Sequence, residues 1–267
     1  TFVGYIEKQS PEQARLIPDD RRVYVTFYLS PEDSKKVEAN QKVQVRMIDW
    51  SHQDPDASLI QIIGMKGEHE VEMKSILLEK GIIADFKPSI ITEAQNLQKK
   101  WSPIPQDEYT KRRDMRDTTT FTIDPLTAKD FDDALSIKKI KDDMYEIGVH
   151  IADVSHFVTP GSNLDTEAKS RAFSVYLVDR TIPMLPEILS NDICSLNPNE
   201  DRLAFSVVFH INTKGQVSDT WYGKTVIHSD KRYTYEEAQE ILDKKEGLFF
   251  DELNTLNTIS KNLGIEK

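Results

Sequence analysis

Four aspartates fall within ten residues of one another near the middle of the chain: Asp124, Asp130, Asp132 and Asp133. Phe131 stands among them and Ala134 follows, which indicates that the segment also contacts a hydrophobic core. Carboxylates held this close together in a partly buried segment repel one another, which raises their pKa values and opposes folding. A hard divalent cation removes that cost, because Mg²⁺ binds carboxylate oxygens and keeps water or phosphate oxygens in its other positions. The spacing therefore indicates a Mg²⁺ site suited to phosphate chemistry.

Spacing alone leaves other interpretations of this segment open. An Asp-x-Asp-Asp sequence also occurs in surface loops of acidic proteins, and enzymes of other folds use Asp-x-Asp to transfer sugars or phosphates. An EF-hand calcium loop counted from Asp130 fits poorly, because Leu135 and Lys141 stand where that loop needs glycine and glutamate.

The composition limits the class of protein. The 267 residues include 34 basic and 45 acidic side chains, a formal balance of −11, which argues against indiscriminate coating of nucleic acid. With 38% hydrophobic residues the chain supports folded cores, and no apolar run approaches the roughly 20 residues that span a membrane. The single cysteine, Cys194, excludes an intramolecular disulfide, and without a secretory leader we expect a cytoplasmic protein.

Residues 1–82 carry the pattern of a small β-barrel. Ser30 followed by Pro31 predicts a short helix between the second and third strands, and a longer helix is expected over 68–80, with Gly81 at its end. Four or five short strands with one small helix are typical of an OB-type barrel, with or without a binding role. Apolar or alternating runs predict the strands themselves over 2–6, 22–29, 43–50 and 58–63.

Residues 83–117 predict a linker with two polar helical stretches. Its basic cluster, residues 111–113 with Arg116, has two interpretations: a guide for a phosphate backbone, or a solvated charged face. From residue 118 onward the pattern becomes α+β. The predicted elements are strands over 119–124, 134–140 and 144–154, a helix over 164–173, a hairpin of 202–212 with 216–227, a capping-box helix over 234–242, and a last helix that Gly264 closes.

The aspartate segment, from Ile123 to Leu135, resembles the signature that opens the catalytic RNB domain of the ribonuclease II and ribonuclease R family. Within the family the resemblance is closer to ribonuclease R. Residues 1–82 are more weakly similar to that family's second cold-shock domain. Further stretches follow in the family's order and spacing: 150–158, 160–162, 174–180, 182–186, 189–191, 194–196, 201–205 and 229–236.

This resemblance implies an α+β protein with an OB-type cold-shock barrel at 1–82, a linker at 83–117, and the N-terminal part of an RNB domain at 118–267. It implies a Mg²⁺-dependent exoribonuclease that hydrolyses RNA processively from the 3′ end to nucleoside 5′-monophosphates. The expected partner is single-stranded RNA, or RNA with a 3′ overhang, and the protein is expected to act as a monomer without a membrane partner.

The resemblance also assigns the site residues. Asp132 matches the aspartate most closely tied to the chemical step. Tyr176 falls where the family has a tyrosine near the scissile end of the RNA, although between Val175 and Leu177 it also fits an ordinary strand aromatic. The metal-binding and catalytic aspartates implied by the resemblance are Asp124, Asp130, Asp132 and Asp133.

Two other conspicuous side chains have structural explanations. His150 lies in an alternating strand, where a histidine with satisfied hydrogen bonds is more common than a ligand. Cys194 has no basic neighbour that would lower its pKa, so we expect a buried thiol.

The chain also departs from the family pattern. The family's catalytic domain continues with an arginine, a glutamate, a second aromatic and an OB-type RNA-binding domain. We therefore expect this chain to be part of a longer enzyme, weakly active or inactive alone. Arg171-Ala172-Phe173 stands where a Gly-Thr pair is more usual, and residues 12–16 replace the Gly-Phe-rich strand of cold-shock domains. An inert RNA-binding module of the same fold and an unrelated acidic metal-binding scaffold remain alternatives.

Overall fold

The computed structural model describes residues 1–51 and 53–265, and the chain divides into two compact units. The first unit comprises Thr1–Phe86 with Tyr176–Ile182, and the second comprises Lys87–Val175 with Pro183–Lys267. The domain bounds predicted from the sequence, after residues 82 and 117, stay predictions. Within the described residues, none of the helices has the length and apolar character required to span a bilayer.

The first unit is a closed five-stranded barrel, which confirms the predicted OB-type fold. Its strands are β1 (Phe2–Ser10), β2 (Gln13–Pro18), β3 (Phe27–Leu29), β4 (Gln41–Asp49) and β5 (Asp56–Met65), with helices α1 (Pro31–Ser34) and α2 (His69–Glu79). The strand order is β1-β2-β3-β5-β4; β3 and β5 run parallel and the other neighbours antiparallel. Ile6, Leu16, Phe27 and Val43 lie in the barrel core.

The predicted strand over 22–29 is wrong for residues 22–26. A turn replaces its first half, because the Val23 N–H donates to the Asp20 carbonyl and the Arg22 guanidinium binds the Asp20 carboxylate. Tyr24 is consequently 92% exposed. Residues 13–18, where no strand was expected, instead pair with β1 and complete the barrel.

The second unit is built on a seven-stranded sheet. Its strands are β6 (Arg113–Asp114), β7 (Thr120–Asp124), β8 (Asp133–Lys141), β9 (Met144–Ala152), β12 (Asp201–Ile211), β13 (Val217–His228) and β14 (Lys231–Thr234). The order is β14-β7-β8-β9-β12-β13-β6, in which only the two edge strands, β14 and β6, run parallel to their neighbours. A separate two-stranded hairpin consists of β10 (Val175–Tyr176) and β11 (Thr181–Ile182).

Helices flank this sheet: α3 (Pro88–Trp101), α4 (Gln106–Tyr109), α5 (Val154–Phe157), α6 (Asn163–Arg171), α7 (Tyr235–Lys244) and α8 (Phe250–Ile265). One face of the sheet packs on α7 and α8 through clusters that include Phe121, Tyr233 and Ile259. The other face holds a core that includes Phe131, Ala134 and Leu196. The acidic segment is therefore joined to this second core, as the sequence predicted.

Local signals of helix ends are largely confirmed. Ser162 caps α6 by accepting from the Asp165 N–H, and Thr234 and Glu237 form the predicted capping box at the start of α7. The prediction that Gly264 closes the last helix is wrong, because α8 continues to residue 265. Glycine ends a helix when it adopts a left-handed conformation, and Gly264 does not.

Both interpretations of the basic cluster are wrong for Arg112. Its side chain is fully buried, and its guanidinium donates to Glu108 at 2.9 Å and to Asp153 at 2.7 Å. These two carboxylates already neutralise the charge of Arg112, so it serves neither as a solvated residue nor as a phosphate guide.

Candidate active site

The connection between β7 and β8 carries the four aspartates. Asp124 is the last residue of β7, Asp133 is the first of β8, and Asp130 and Asp132 lie in the loop between them. Because β7 and β8 are antiparallel neighbours, the loop returns the chain to the edge that it left. The fold therefore brings all four carboxylates to one end of two adjacent strands.

The four side chains differ in exposure. Asp124 and Asp130 are half-buried, as expected, whereas Asp132 and Asp133 are exposed. The Asp124 Oδ2 atom is buried and has no hydrogen-bond partner among the described residues. A buried carboxylate oxygen without a donor has lost its hydration and gained nothing in return, which favours binding of a cation or a proton there.

Burial is the main cause that raises the pKa of Asp124, and the carboxylates of Asp133 and Asp130 raise it further. The Thr122 hydroxyl and the Arg232 guanidinium oppose this shift. The raised pKa means that the site disfavours a bare negative charge on Asp124, which a bound cation would stabilise.

The pKa of Asp132 is also raised. The surrounding protein removes part of the hydration of this carboxylate, although the side chain remains exposed, and the charges of Asp130, Asp133 and Asp124 add to the shift. Each carboxylate near Asp132 thus makes its ionisation more costly.

The donor set fits a hard divalent cation in its chemistry: four carboxylates, mutual repulsion, and one buried oxygen without a partner. In the part of the chain that the structure describes, no three histidine, cysteine, aspartate or glutamate side chains have the mutual geometry of a metal site. The fold therefore gathers the donors at one end of β7 and β8 without directing them at a common point.

The backbone of this loop is fixed at Phe131, between Asp130 and Asp132. The Phe131 N–H donates to the Ser195 Oγ at 2.9 Å, and the Phe131 carbonyl accepts from the Leu196 N–H at 2.8 Å. The Phe131 ring is buried in the second unit's core. Two aspartates thus flank a residue held by its backbone and its side chain.

The start of the loop is held by Arg232 on β14. Its Nη2 donates to the carbonyls of Pro125 and Leu126 at 2.7 and 3.1 Å, and its guanidinium lies 5.6 Å from the centre of the Phe131 ring. Sequence reasoning gave no role to Arg232 or to Ser195. The signal was present, because both belong to stretches, 229–236 and 194–196, that match the family in order.

Tyr176 lies in the first unit, whereas the four aspartates lie in the second. It occupies strand β10 and is 71% exposed, so it is not a core aromatic. The turn of its hairpin is tied to α2: the Arg180 guanidinium contacts the Glu70 carboxylate at 2.5 and 2.7 Å, and Asp179 lies 2.8 Å from the His69 ring.

The structural explanations of Cys194 and His150 are confirmed. Cys194 is a buried free thiol, and burial raises its pKa to about 12, which leaves it no nucleophilic role. His150 is fully buried, and both ring nitrogens contact serine hydroxyls.

Comparison with known proteins agrees with these features. Residues 112–267 match the RNB domain, and residues 16–87 match a cold shock domain. The chain belongs to the RNB family. The RNB match covers the acidic loop and its supporting sheet, and the cold shock match covers the barrel from residue 16 onward.

DIS3-like exonuclease 2 of Xenopus tropicalis is 47% identical over 194 residues, which is 71% of this chain and 23% of that protein. Inactive exonuclease DIS3L2 of Arabidopsis thaliana is 38% identical over 247 residues, 88% of this chain and 23% of that protein. A solved structure of Mycoplasma genitalium RNase R in complex with double-stranded RNA has a TM-score of 0.88 at 27% identity, and the match covers 99% of this chain and 47% of that one. The chain thus spans about a quarter of these curated relatives and about half of the solved one.

Proposed function

We propose that this protein is a Mg²⁺-dependent exoribonuclease that hydrolyses single-stranded RNA or 3′ overhangs processively from the 3′ end. It acts as a monomer in the cytoplasm and releases nucleoside 5′-monophosphates. The observation that carries the proposal is that an RNB domain brings four aspartates together at one end of β7 and β8, where the connecting loop is held at Phe131. The names of its relatives, which include exonucleases and an RNase R bound to RNA, support RNA as the substrate.

The carboxylates of four aspartates would hold the metal: Asp124, Asp130, Asp132 and Asp133. Mg²⁺, when bound, supplies positive charge beside the phosphodiester and orients a water for attack. The buried, unpartnered Asp124 Oδ2 supports the choice of Asp124 as a ligand.

Asp132 is the residue that we place closest to the chemical step. It is exposed, so water and substrate can reach it. A carboxylate oxygen of Asp132 can accept a proton from the attacking water.

Tyr176 is proposed to stack on a base of the RNA. Its ring is 71% exposed, and aromatic stacking contributes about 1–3 kcal/mol per base without reading sequence. Such a contact suits an enzyme that must accept every nucleotide in turn.

Substitution of Asp132 separates catalysis from RNA binding. In the intact protein, Asp132→Asn is expected to lower the turnover number at least 100-fold, because the amide is a poor base and a weak metal ligand. The dissociation constant for a 3′-tailed RNA should change less than about threefold, measured by fluorescence anisotropy. Asp142→Asn, in an exposed turn, is the matched control and should retain both values. Equal turnover by Asp132→Asn and the parent protein would contradict the proposal.

A catalytically inert RNA-binding module is the second candidate, because one relative of similar coverage is named an inactive exonuclease. This alternative predicts RNA retention without monophosphate release at any Mg²⁺ concentration. The four aspartates brought together by β7 and β8 favour the enzyme.

A further inference from the structure

The acidic loop, residues 125–132, has no regular helix or strand between β7 and β8. An unrestrained segment of this kind would sample many backbone conformations, and binding would have to order each of its residues at a cost in conformational entropy. Metal ligands, by contrast, must be held within about 0.5 Å of their productive positions. Beyond the one turn in which the Ala128 N–H donates to the Pro125 carbonyl, the loop needs restraints from outside its own sequence.

Ser195 supplies one restraint. It is fully buried, and its Oγ donates its proton to Asn197 Oδ1 at 3.3 Å, which leaves a lone pair for the Phe131 N–H. The Leu196 N–H donates to the Phe131 carbonyl, so both the backbone N–H and the carbonyl of Phe131 are hydrogen-bonded. The backbone positions of the flanking residues, Asp130 and Asp132, are therefore restrained as well.

Arg232 supplies the second restraint at the other end of the loop. It binds the carbonyls of Pro125 and Leu126, the two residues that follow Asp124. Strand β14 runs parallel to β7 with Arg232 opposite Thr122. The sheet therefore fixes the Cα position from which the long Arg232 side chain extends.

The choice of acceptors by Arg232 has a chemical consequence. Among the residues that the structure describes, its guanidinium bonds to backbone carbonyls and forms no ion pair with any of the four aspartates, although its charge acts on Asp124. A guanidinium bound directly to those carboxylates would compete with a divalent cation. Because Arg232 holds backbone carbonyls instead, the carboxylates stay available as metal ligands.

We propose that Ser195 and Arg232 are positioning residues that fix loop 125–132 and thereby set the affinity of the protein for its divalent cation. This inference rests on the proposed function, since it concerns the same aspartates. Neither residue touches the substrate in this account, and each acts only through the loop backbone.

The test measures metal affinity directly, with Mn²⁺ as the probe and its free concentration read by electron paramagnetic resonance. In the intact protein, Arg232→Met and Ser195→Ala are each expected to weaken Mn²⁺ binding about 10- to 100-fold, the range found for residues that orient metal ligands. Arg232→Lys should recover most of the affinity, since an ammonium can still donate to one carbonyl.

Arg113→Met is the matched control. Arg113 lies on β6, the opposite edge strand of the same sheet, where it donates to Glu146 at 2.8 Å and lies 5.0 Å from the Trp221 ring centre. Its loss removes similar contacts without touching the loop, so Mn²⁺ affinity should remain that of the parent. Melting temperatures of all variants separate lost metal affinity from lost stability.

Parent-like Mn²⁺ affinity in both Arg232→Met and Ser195→Ala would overturn the positioning roles, as would an equal loss in Arg113→Met. If Arg232→Met fails to fold, Ser195→Ala, which removes one oxygen atom, decides the question together with Arg232→Lys. A parent protein that binds no Mn²⁺ overturns both this inference and the proposed metal site. A parent that binds Mn²⁺ with these variant effects but degrades no RNA leaves the positioning roles standing and refutes only the exonuclease.

Discussion

His150 lies inside the second unit's sheet, where a charged group would be costly. Its Nδ1 contacts Ser206 Oγ at 2.6 Å and its Nε2 contacts Ser136 Oγ at 2.8 Å, while Ser206 also contacts Thr225 Oγ1 at 2.6 Å. A methyl group at Gly148 would overlap the ring of His150, so glycine there makes room for the imidazole. These contacts form a chain of hydrogen bonds that links four adjacent strands, β8, β9, β12 and β13, through hydroxyl groups and one neutral ring.

Burial lowers the pKa of His150 to about 4, from 6.5 in an unfolded chain. Between these values the unfolded chain binds a proton that the folded chain does not, so stability falls as the pH drops from about 6.5 to about 4. Above pH 6.5 this residue adds no further pH dependence. The slope is at most about 1.4 kcal/mol per pH unit.

We therefore expect His150→Gln to lose part of the pH dependence of the free energy of unfolding between pH 7 and pH 5, measured by urea titration. The amide cannot titrate, so that contribution disappears. An identical pH dependence in parent and variant, or an imidazole that titrates near pH 6.5 by NMR, would show that His150 is not held neutral.

Helix α6 ends in an unfavourable conformation. The residue that follows it as the C-cap, Ala172, has φ of 67°, and its N–H donates to the Ala168 carbonyl at 2.8 Å. Alanine at such an angle costs about 1–2 kcal/mol, and glycine avoids the cost because it lacks Cβ. This is also a position at which the sequence departs from the family's Gly-Thr pair.

Ala172→Gly is accordingly expected to raise the free energy of unfolding by about 0.5–1 kcal/mol, measured by chemical denaturation. Ala168→Gly, inside the same helix, should instead lower it by about 1 kcal/mol. Destabilisation by both substitutions would contradict the conformational explanation of the end of α6.

The elements that the sequence predicted well are those whose signals are local. Ser162 and the Thr234 capping box bind neighbours three residues away, so their patterns are visible in a short window. The strand predicted over 22–29 failed at residues 22–26 because a local turn to Asp20 takes its place. The interpretations of the basic cluster failed where distant partners decide the environment of a side chain. Arg112, for example, is buried by Asp153, which lies 41 residues further along the chain.

The same distinction applies to the candidate site. The four aspartates are close in sequence, so their spacing alone suggested a metal site. Ser195 and Arg232 lie 64 and 107 residues from their loop partners Phe131 and Pro125, and only the fold brings them there. Their chemistry was also hidden, because each binds backbone atoms that carry no residue-specific signal.

Across the complete chain, a net charge of −11 initially argued against an RNA partner. Part of that charge comes from the four clustered aspartates, where a bound divalent cation would offset much of the local negative charge. Other basic groups are neutralised by ion pairs within the fold, as the buried Arg112 shows. Binding of RNA is therefore expected to depend on exposed aromatic residues such as Tyr176 more than on a general basic surface.

The central claim is best tested by digestion of a 5′-labelled, 3′-tailed RNA by the intact protein, with Mg²⁺ and with excess chelator. We predict that Mg²⁺ produces progressive shortening from the 3′ end and free nucleoside 5′-monophosphates, whereas chelator abolishes both. Full-length RNA that remains bound at every Mg²⁺ concentration, with no monophosphate released, would contradict the account and identify the protein as an inert RNA-binding member of its family.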